Sequence, residues 1–496
     1  MRRNGFLLPI SSLPSKYGIG SFSKEAYRFV DFLKNAHQKY WQILPVGPTS
    51  YGDSPYQSFS TYAGNPYFIS LEELIEEGLL TEEECDKVDF GNRIDKVNYE
   101  KLYNGRFKLL KKAYKKSNIS EKEDFDKFKS ENCYWLNDYA MFMAIKDRFN
   151  GQSFDKWAED IKLRWGYSME YYQNELKDEI EFYKFIQFIF AKQWHKLKAY
   201  ANEKKVEIIG DVPIYVALDS VDVWSNPEEY QLDNDLKPKR VAGCPPDDFA
   251  KKGQLWGNPL YDYHKMEKNN FKWWNARIKK SFELYDVVRI DHFRGFESYY
   301  SIDALEETAE NGKWVKGPGM KLFKSIKDCK DLHIIAEDLG FLTPAVHKLL
   351  KQTGFPGMKI LQFGFDKDGD SPYAPHNYLP NCIVYTGTHD NPPIRTWFET
   401  LDKETKHMVS EYVNLTSDDK ICDRMVRLAL SSVANIAIIP IQDYLGLGIE
   451  SRINTPSTSE NNWQWRLDEK YITKELADYI LFLTRLYRRT NFKIEV

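Results

Sequence analysis

Short apolar runs rich in β-branched and aromatic residues recur along the chain, beginning near residues 6, 40, 206, 286, 333, 358, 382 and 435. Most of the chain between them carries apolar positions three and four apart, the spacing of helices that bury one face. The opening shows the rhythm: FLLPI at 6–10, a helical pattern over 24–36, then YWQILPV at 40–46. A strand, a helix and a second strand in that order imply a parallel sheet. The run Val287, Val288 and Ile290 has no polar alternation, as expected of a strand covered on both faces. Eight such strands with helices between them predict a (β/α)8 TIM barrel, with a doubly wound open sheet as the alternative.

Two stretches depart from this rhythm. Residues 70–180 are rich in Lys and Glu and read as a mainly helical insertion; residues 218–280 contain Pro and Gly and read as a loop-rich insertion near the active site. Both are expected to decorate a single catalytic barrel spanning 1–496. The aromatic stripe of the helix predicted over 181–204 reads as core against the sheet. The segment KYGIGSFSKEA has Gly18 and Gly20 before a helix, but lacks the third glycine and the Lys-Ser/Thr of a phosphate-binding turn. It reads as a helix entry with Ser21 or Ser23 as cap.

Composition narrows the class. Hydrophobic residues make up 42% and aromatics 15%, enough for a large core, and no apolar run approaches the ~20 residues that cross a bilayer. The first residues, MRRNGFLLPISSLP, have two Arg and a short apolar run, but Pro9 interrupts it and no small-residue cleavage pattern follows, so the segment reads as the first strand. A net charge of -4 with mixed signs indicates neither a nucleic-acid surface nor a membrane patch. Six Cys without a Cys-x-x-Cys pair fit reduced thiols and a cytoplasmic setting. The 13 Trp and 32 Tyr suit sugar faces as well as cores.

Three of the predicted strands end in charge. DVVRIDHFRGF delivers Arg289, Asp291, His292 and Arg294; HIIAEDLG delivers Glu337 and Asp338; CIVYTGTHDN delivers His389 and Asp390. In a parallel barrel these ends collect at one rim, where chemistry is placed. Asp291, Glu337 and Asp390 together meet the needs of glycosidic chemistry: one carboxylate attacks, a protonated one serves the leaving oxygen, and further negative charge steadies the oxocarbenium-like transition state. Arg289, two residues before Asp291 and on the same face, is expected to keep that carboxylate ionised, while Glu337 beside Ala336 is placed to hold a proton. A set of rim salt bridges is the structural alternative. A metal site is the chemical one, but neighbouring strand residues point to opposite faces, so neither Asp291-His292 nor His389-Asp390 should chelate an ion. No Gly-x-Ser-x-Gly supports acyl transfer. Neither a metal nor a cofactor is expected.

Longer stretches carry a resemblance: LLPISSLPSKYGIGSF, GDSPYQSFSTYAGNPYFI, QWHKLKAYANEKKVEIIGDVPIYVALDS, VWSNP, CPPDDF, GQLWGNPLYDY, VVRIDHFRGF, IIAEDLG, GFPGMKILQFGF, YTGTHDN and RINTPSTSENNWQWRL. In this order over essentially the whole chain they resemble the 4-α-glucanotransferases (amylomaltases, disproportionating enzymes), glycoside hydrolase family 77 of the α-amylase-like barrel enzymes. The resemblance implies retaining transfer of an α-1,4-glucan segment to the 4-hydroxyl of a glucan or glucose acceptor. It implies Asp291 as nucleophile, Glu337 as general acid/base and Asp390 as stabiliser of the distorted sugar. Asp211, Arg289, His292 and His389 would surround the scissile bond, and Ser54, Tyr56, Asp247, Gln254, Trp256, Asp366 and Asn462 would line the glucan path; Tyr51 and Trp463 read equally as packing residues. Departures at Pro392-Pro393, Ser457 and Asp248 bear on loop shape and acceptor preference. An α-1,4-glucan hydrolase, a catalytically silent glucan-binding barrel and a barrel metallohydrolase are the competing readings.

Overall fold

The computed structural model describes residues 2–50, 52–119, 122–246, 250–340, 342–365 and 371–490. Eight parallel strands form its centre: β1 (Arg3–Leu7), β2 (Tyr40–Gln42), β3 (Glu207–Val212), β4 (Val287–Ile290), β5 (Ile334–Ala336), β6 (Gly357–Ile360), β7 (Cys382–Tyr385) and β8 (Ile436–Pro440). Hydrogen-bonded order runs β6-β7-β8-β1-β2-β3-β4-β5. The two ends of this sheet meet: Ala336 donates its N–H to the Pro356 carbonyl at 3.0 Å, and Met358 donates its N–H to Asp338 Oδ1 at 2.7 Å. Eight strands joined in a ring and wrapped by helices make a (β/α)8 barrel. Every residue of β4, β5 and β7 is buried, as unalternating apolar runs require.

The outer layer is uneven. Helix Lys24–Asn35 follows β1, Lys177–Glu203 leads into β3, and Lys272–Leu284 leads into β4. The final helix, Lys474–Leu486, packs on Lys24–Asn35. Between β2 and β3 the described residues form seven further α-helices from Leu71 to Glu175, and their buried residues join the same core cluster as the barrel strands. Helix Lys177–Glu203 carries that continuity, since it buries Phe182, Phe185, Phe190 and Trp194 in this cluster. Ser23 sits at the N-cap of Lys24–Asn35, yet its hydroxyl donates to Glu25 and makes no cap bond. Among the described residues no helix is long and apolar enough to cross a membrane.

The stretch 218–280 holds more order than its composition predicts. Strands Arg240–Cys244 and Gln254–Pro259 pair with each other, and Arg240–Cys244 pairs onward with Ser298–Asp303, which pairs with Lys313–Lys316. This antiparallel sheet straddles β4, so half of its partners lie beyond the predicted insertion. Its edge strands mix glycine, proline and exposed side chains and show no clean alternation.

Candidate active site

The rim is built first by register. Asp211 and Arg289 are direct partners in the β3–β4 ladder, and both are buried. Gly210 beside Asp211 lies against Tyr285 so closely that a Cβ would meet the ring at 2.2 Å. Arg289 Nη1 donates to both oxygens of Asp211, at 2.8 and 2.6 Å, and reaches Asp291 Oδ1 at 2.9 Å. Tyr56 donates its hydroxyl to Asp211 Oδ2 at 2.8 Å. Burial disfavours the Arg289 cation, but Asp211 and Asp291 together hold its proton more tightly than usual. One guanidinium thus serves a buried carboxylate and a rim carboxylate at once, and the expected Arg289–Asp291 contact is present.

Glu337, just past β5, lives in the opposite environment. It is buried, and its oxygens accept backbone N–H groups from His292 at 2.7 Å and Leu339 at 2.6 Å. Those two donors favour the carboxylate. Burial, reinforced by the charge of Asp291, outweighs them and pushes the Glu337 carboxyl up to about 8. The turn between Asp291 and Phe293 makes this possible. His292 has φ 53°, in the left-handed region that non-glycine residues rarely adopt, and this bend aims its N–H at Glu337 while Phe293 N–H bonds the Glu337 carbonyl at 3.0 Å. Asp338 points away, into the β5–β6 seam, where it accepts from Met358.

At the end of β7, Asp390 accepts from Asn454 Nδ2 at 2.6 Å and lies 3.4 Å from His389 Nε2. The strand alternation invoked against such proximity does not apply: Asp291, His292, His389 and Asp390 all follow the last strand residues, Ile290 and Tyr385. Even so, among the described residues no group of three or more His, Cys, Asp or Glu is arranged to hold a metal ion. The His389 ring stacks on Tyr56 at 5.1 Å, with Trp463 at 6.0 Å. Trp256 stands edge-on to His292 at 4.9 Å. Burial pulls the His292 imidazole down to about 4, so the ring is neutral. His292 Nε2 and His389 Nδ1 are buried with no hydrogen-bond partner among the described residues. Such atoms are costly unless a ligand supplies the partner, and sugar hydroxyls can donate and accept.

Other expected residues are occupied locally. Ser54 Oγ accepts from Tyr56 N–H at 3.3 Å, and Gln254 Oε1 accepts from Trp256 Nε1 at 3.0 Å. Asn462 braces its own loop, accepting from Thr455 N–H at 2.9 Å and donating to Thr458. Asp247 and Asp366 lie outside the described residues, as do Tyr51 and Asp248. Asn454 and Arg452, which donate to the Asp390 carboxylate and carbonyl, and Tyr215, whose ring lies 6.2 Å from Trp256, are not among the residues expected at the site; each sits in a loop, where no periodicity marks a side chain as facing a rim. A cavity of about 1000 Å³ opens at the other end of the barrel, around Arg3, Lys39 and Lys204. Two ion pairs join charges of its lining, Arg28 with Glu469 and Lys474 with Asp478, and Lys39 pairs with Glu207 beside it.

Known proteins resemble this chain over its whole length. The family profile described as 4-alpha-glucanotransferase matches residues 8–472. A 4-alpha-glucanotransferase of Clostridium butyricum is 54% identical over 483 residues, covering 97% of this chain and 99% of its own length. One from Aquifex aeolicus is 45% identical, covering 99% and 100%. The solved amylomaltase of Streptococcus agalactiae in complex with acarbose superposes with a TM-score of 0.96 at 42% identity, over 99% of this chain and all of that one. The rim of carboxylates, the barrel beneath it and these whole-length similarities place the chain in the 4-α-glucanotransferase family, glycoside hydrolase family 77.

Proposed function

We propose that the 4-α-glucanotransferase reaction runs on this chain as a retaining double displacement with Asp291 as nucleophile and Glu337 as general acid/base. The observation that carries it is the split environment of the two carboxyl groups: Asp291 is ion-paired to Arg289 at 2.9 Å, and Glu337 is buried and raised to about 8. At neutral pH one is ready to attack and the other holds a proton. Asp291 Oδ attacks the anomeric carbon as the glycosidic C–O bond breaks, and Glu337 gives its proton to the departing 4-oxygen. The glycosyl segment is then an ester on Asp291. Glu337, now a carboxylate, takes the proton of an acceptor 4-hydroxyl as that oxygen displaces Asp291, which returns as carboxylate.

Asp390 stabilises the positive charge and ring distortion of both transition states. Tyr56, His389 and Trp463 form an aromatic wall beside the reacting sugar, and His292, just past β4, and Trp256, on the strand Gln254–Pro259, face it. The substrate is an α-1,4-glucan or maltooligosaccharide and the acceptor a glucan or glucose; the relative seen with acarbose supports a maltooligosaccharide-shaped ligand. Free cysteines at all six positions support a cytoplasmic setting.

Transfer outruns hydrolysis only if the loops shield the ester from water and hold an acceptor in line. Incubation with maltotriose therefore yields glucose plus a ladder of longer maltooligosaccharides with little net gain in reducing ends. A steady rise of reducing ends, with no product longer than maltotriose, makes the protein a hydrolase.

A further inference from the structure

We infer that Asn454 is the positioning residue for Asp390, and that the loop after β8, through Asn454 and Arg452, sets the orientation in which that carboxylate meets the sugar. The inference rests on the role proposed for Asp390 and adds to it the group that holds it.

Asp390 needs such a group. Its side chain is 44% exposed and it lies beyond the end of β7, whereas Asp291 is held by the Arg289 ion pair and Glu337 by two backbone N–H groups. Asn454 Nδ2 donates to Asp390 Oδ1 at 2.6 Å; the His389 Nε2 contact at 3.4 Å is much longer. Asn454 is in turn tied down at its backbone. Its N–H donates to the His389 carbonyl at 3.1 Å, and its carbonyl accepts Arg452 Nε at 2.8 Å. Arg452 closes the circuit by donating Nη2 to the Asp390 carbonyl at 3.0 Å. Backbone and side chain of Asp390 are thus both gripped from residues 452–454, and the two loops are neighbours because β7 and β8 pair. The same loop brings Trp463 toward His389 and Tyr56: Trp463 N–H bonds the Ile453 carbonyl at 2.7 Å, and its ring lies 5.8 Å from Tyr56. Orientation of Asp390 and placement of the aromatic wall are therefore two outputs of one loop.

The chemistry of the contact gives a test that a packing role does not share. An ionised carboxylate only accepts, so the partner must present a donor, and the Asn454 amide does. Asn454→Asp keeps the shape but sets a second acceptor against Asp390, and the mutual repulsion of two carboxylates this close raises the pH at which the second of them ionises. Among the described residues, the other titratable and charged groups facing Asp390 are His389, Arg452 and Tyr56; all three remain in the variant. Asn454→Asp should move the acidic limb of the kcat profile upward by about one pH unit or more. Asn454→Ala should lower kcat about tenfold, with KM within about threefold, since one hydrogen bond to a charged group is lost at the transition state. Thermal unfolding monitors the fold of both, and Asp390→Asn is the reference. If Asp390→Asn keeps parental turnover, the role of Asp390 falls and this inference with it. If Asp390→Asn is inactive while Asn454→Ala keeps parental kcat, or Asn454→Asp leaves the pH profile unmoved, Asn454 does not position Asp390.

Discussion

The β4–β5 side of the rim and its β7–β8 side hold carboxylates by different means. On the first, strand register does the placing: Asp211 faces Arg289 across a ladder, Arg289 bridges to Asp291, and backbone N–H groups grip Glu337. On the second, loops do it. Asp390 is held by side chains and carbonyls of residues 452–454, and its side chain is 44% exposed against 32% for Asp291. Burial in a strand environment tunes charge, because removing water magnifies every neighbouring charge. A loop, standing in water, tunes direction more than charge. The division suits the double displacement proposed above, which calls for two carboxyl groups in different protonation states and a third aimed at the ring.

The strongest way to break this comparison is to remove the tuned proton. Glu337→Gln is expected to lose about two to four orders of magnitude of turnover, the range for a general acid/base. With a donor whose leaving group departs unprotonated, the same variant should accumulate a glycosyl ester, because deglycosylation still needs a base. Mass spectrometry would place the sugar on Asp291; a label on any other carboxylate moves the nucleophile.

Next in size is the ion pair that organises the ladder side. Arg289→Leu leaves Asp211 buried without its cation, and breaking one partner of a buried pair costs about 3–5 kcal/mol. Denaturant unfolding should show that loss, and the double variant Arg289→Leu with Asp211→Leu should recover a good part of it while staying inactive. Equal stability of parent and single variant would mean that Arg289 is not the keystone of this side.

The smallest effect follows pH. Glu337 has its folded value raised from 4.5 to about 8, so the folded protein holds a proton that the unfolded chain releases. Whatever stability this gives is fully present below about 4.5 and is lost as pH rises through about 8. Glu337→Gln should therefore gain stability relative to the parent across that interval and no further above it. In the parent, kcat/KM should fall as pH passes about 8, where the acid is no longer protonated. A plateau extending well above that pH would show that burial does not raise Glu337.

Much of this was local and so readable along the chain. The eight strand starts follow from runs such as Val287, Val288 and Ile290, whose pattern needs no knowledge of partners, and residues after such runs fall at one rim by the geometry of a parallel barrel. Asp291, Glu337 and Asp390 fall at the rim by that rule. The antiparallel sheet was not readable in this way, since Arg240–Cys244 finds half of its pairing across β4 in Ser298–Asp303 and nothing within its own five residues announces that. Nor was the bend at His292, a left-handed residue forced on a non-glycine by the contacts around it. The proton on Glu337 depends on burial and on Asp291, which come together only when the barrel closes. Asn454 stands 64 residues from Asp390 in sequence and 2.6 Å from it in space. Residue types and periodicities, being local, specified the frame and the reactive groups; charge states, strained turns and loop-borne partners depend on neighbours distant in sequence, and those exist only once the chain has folded.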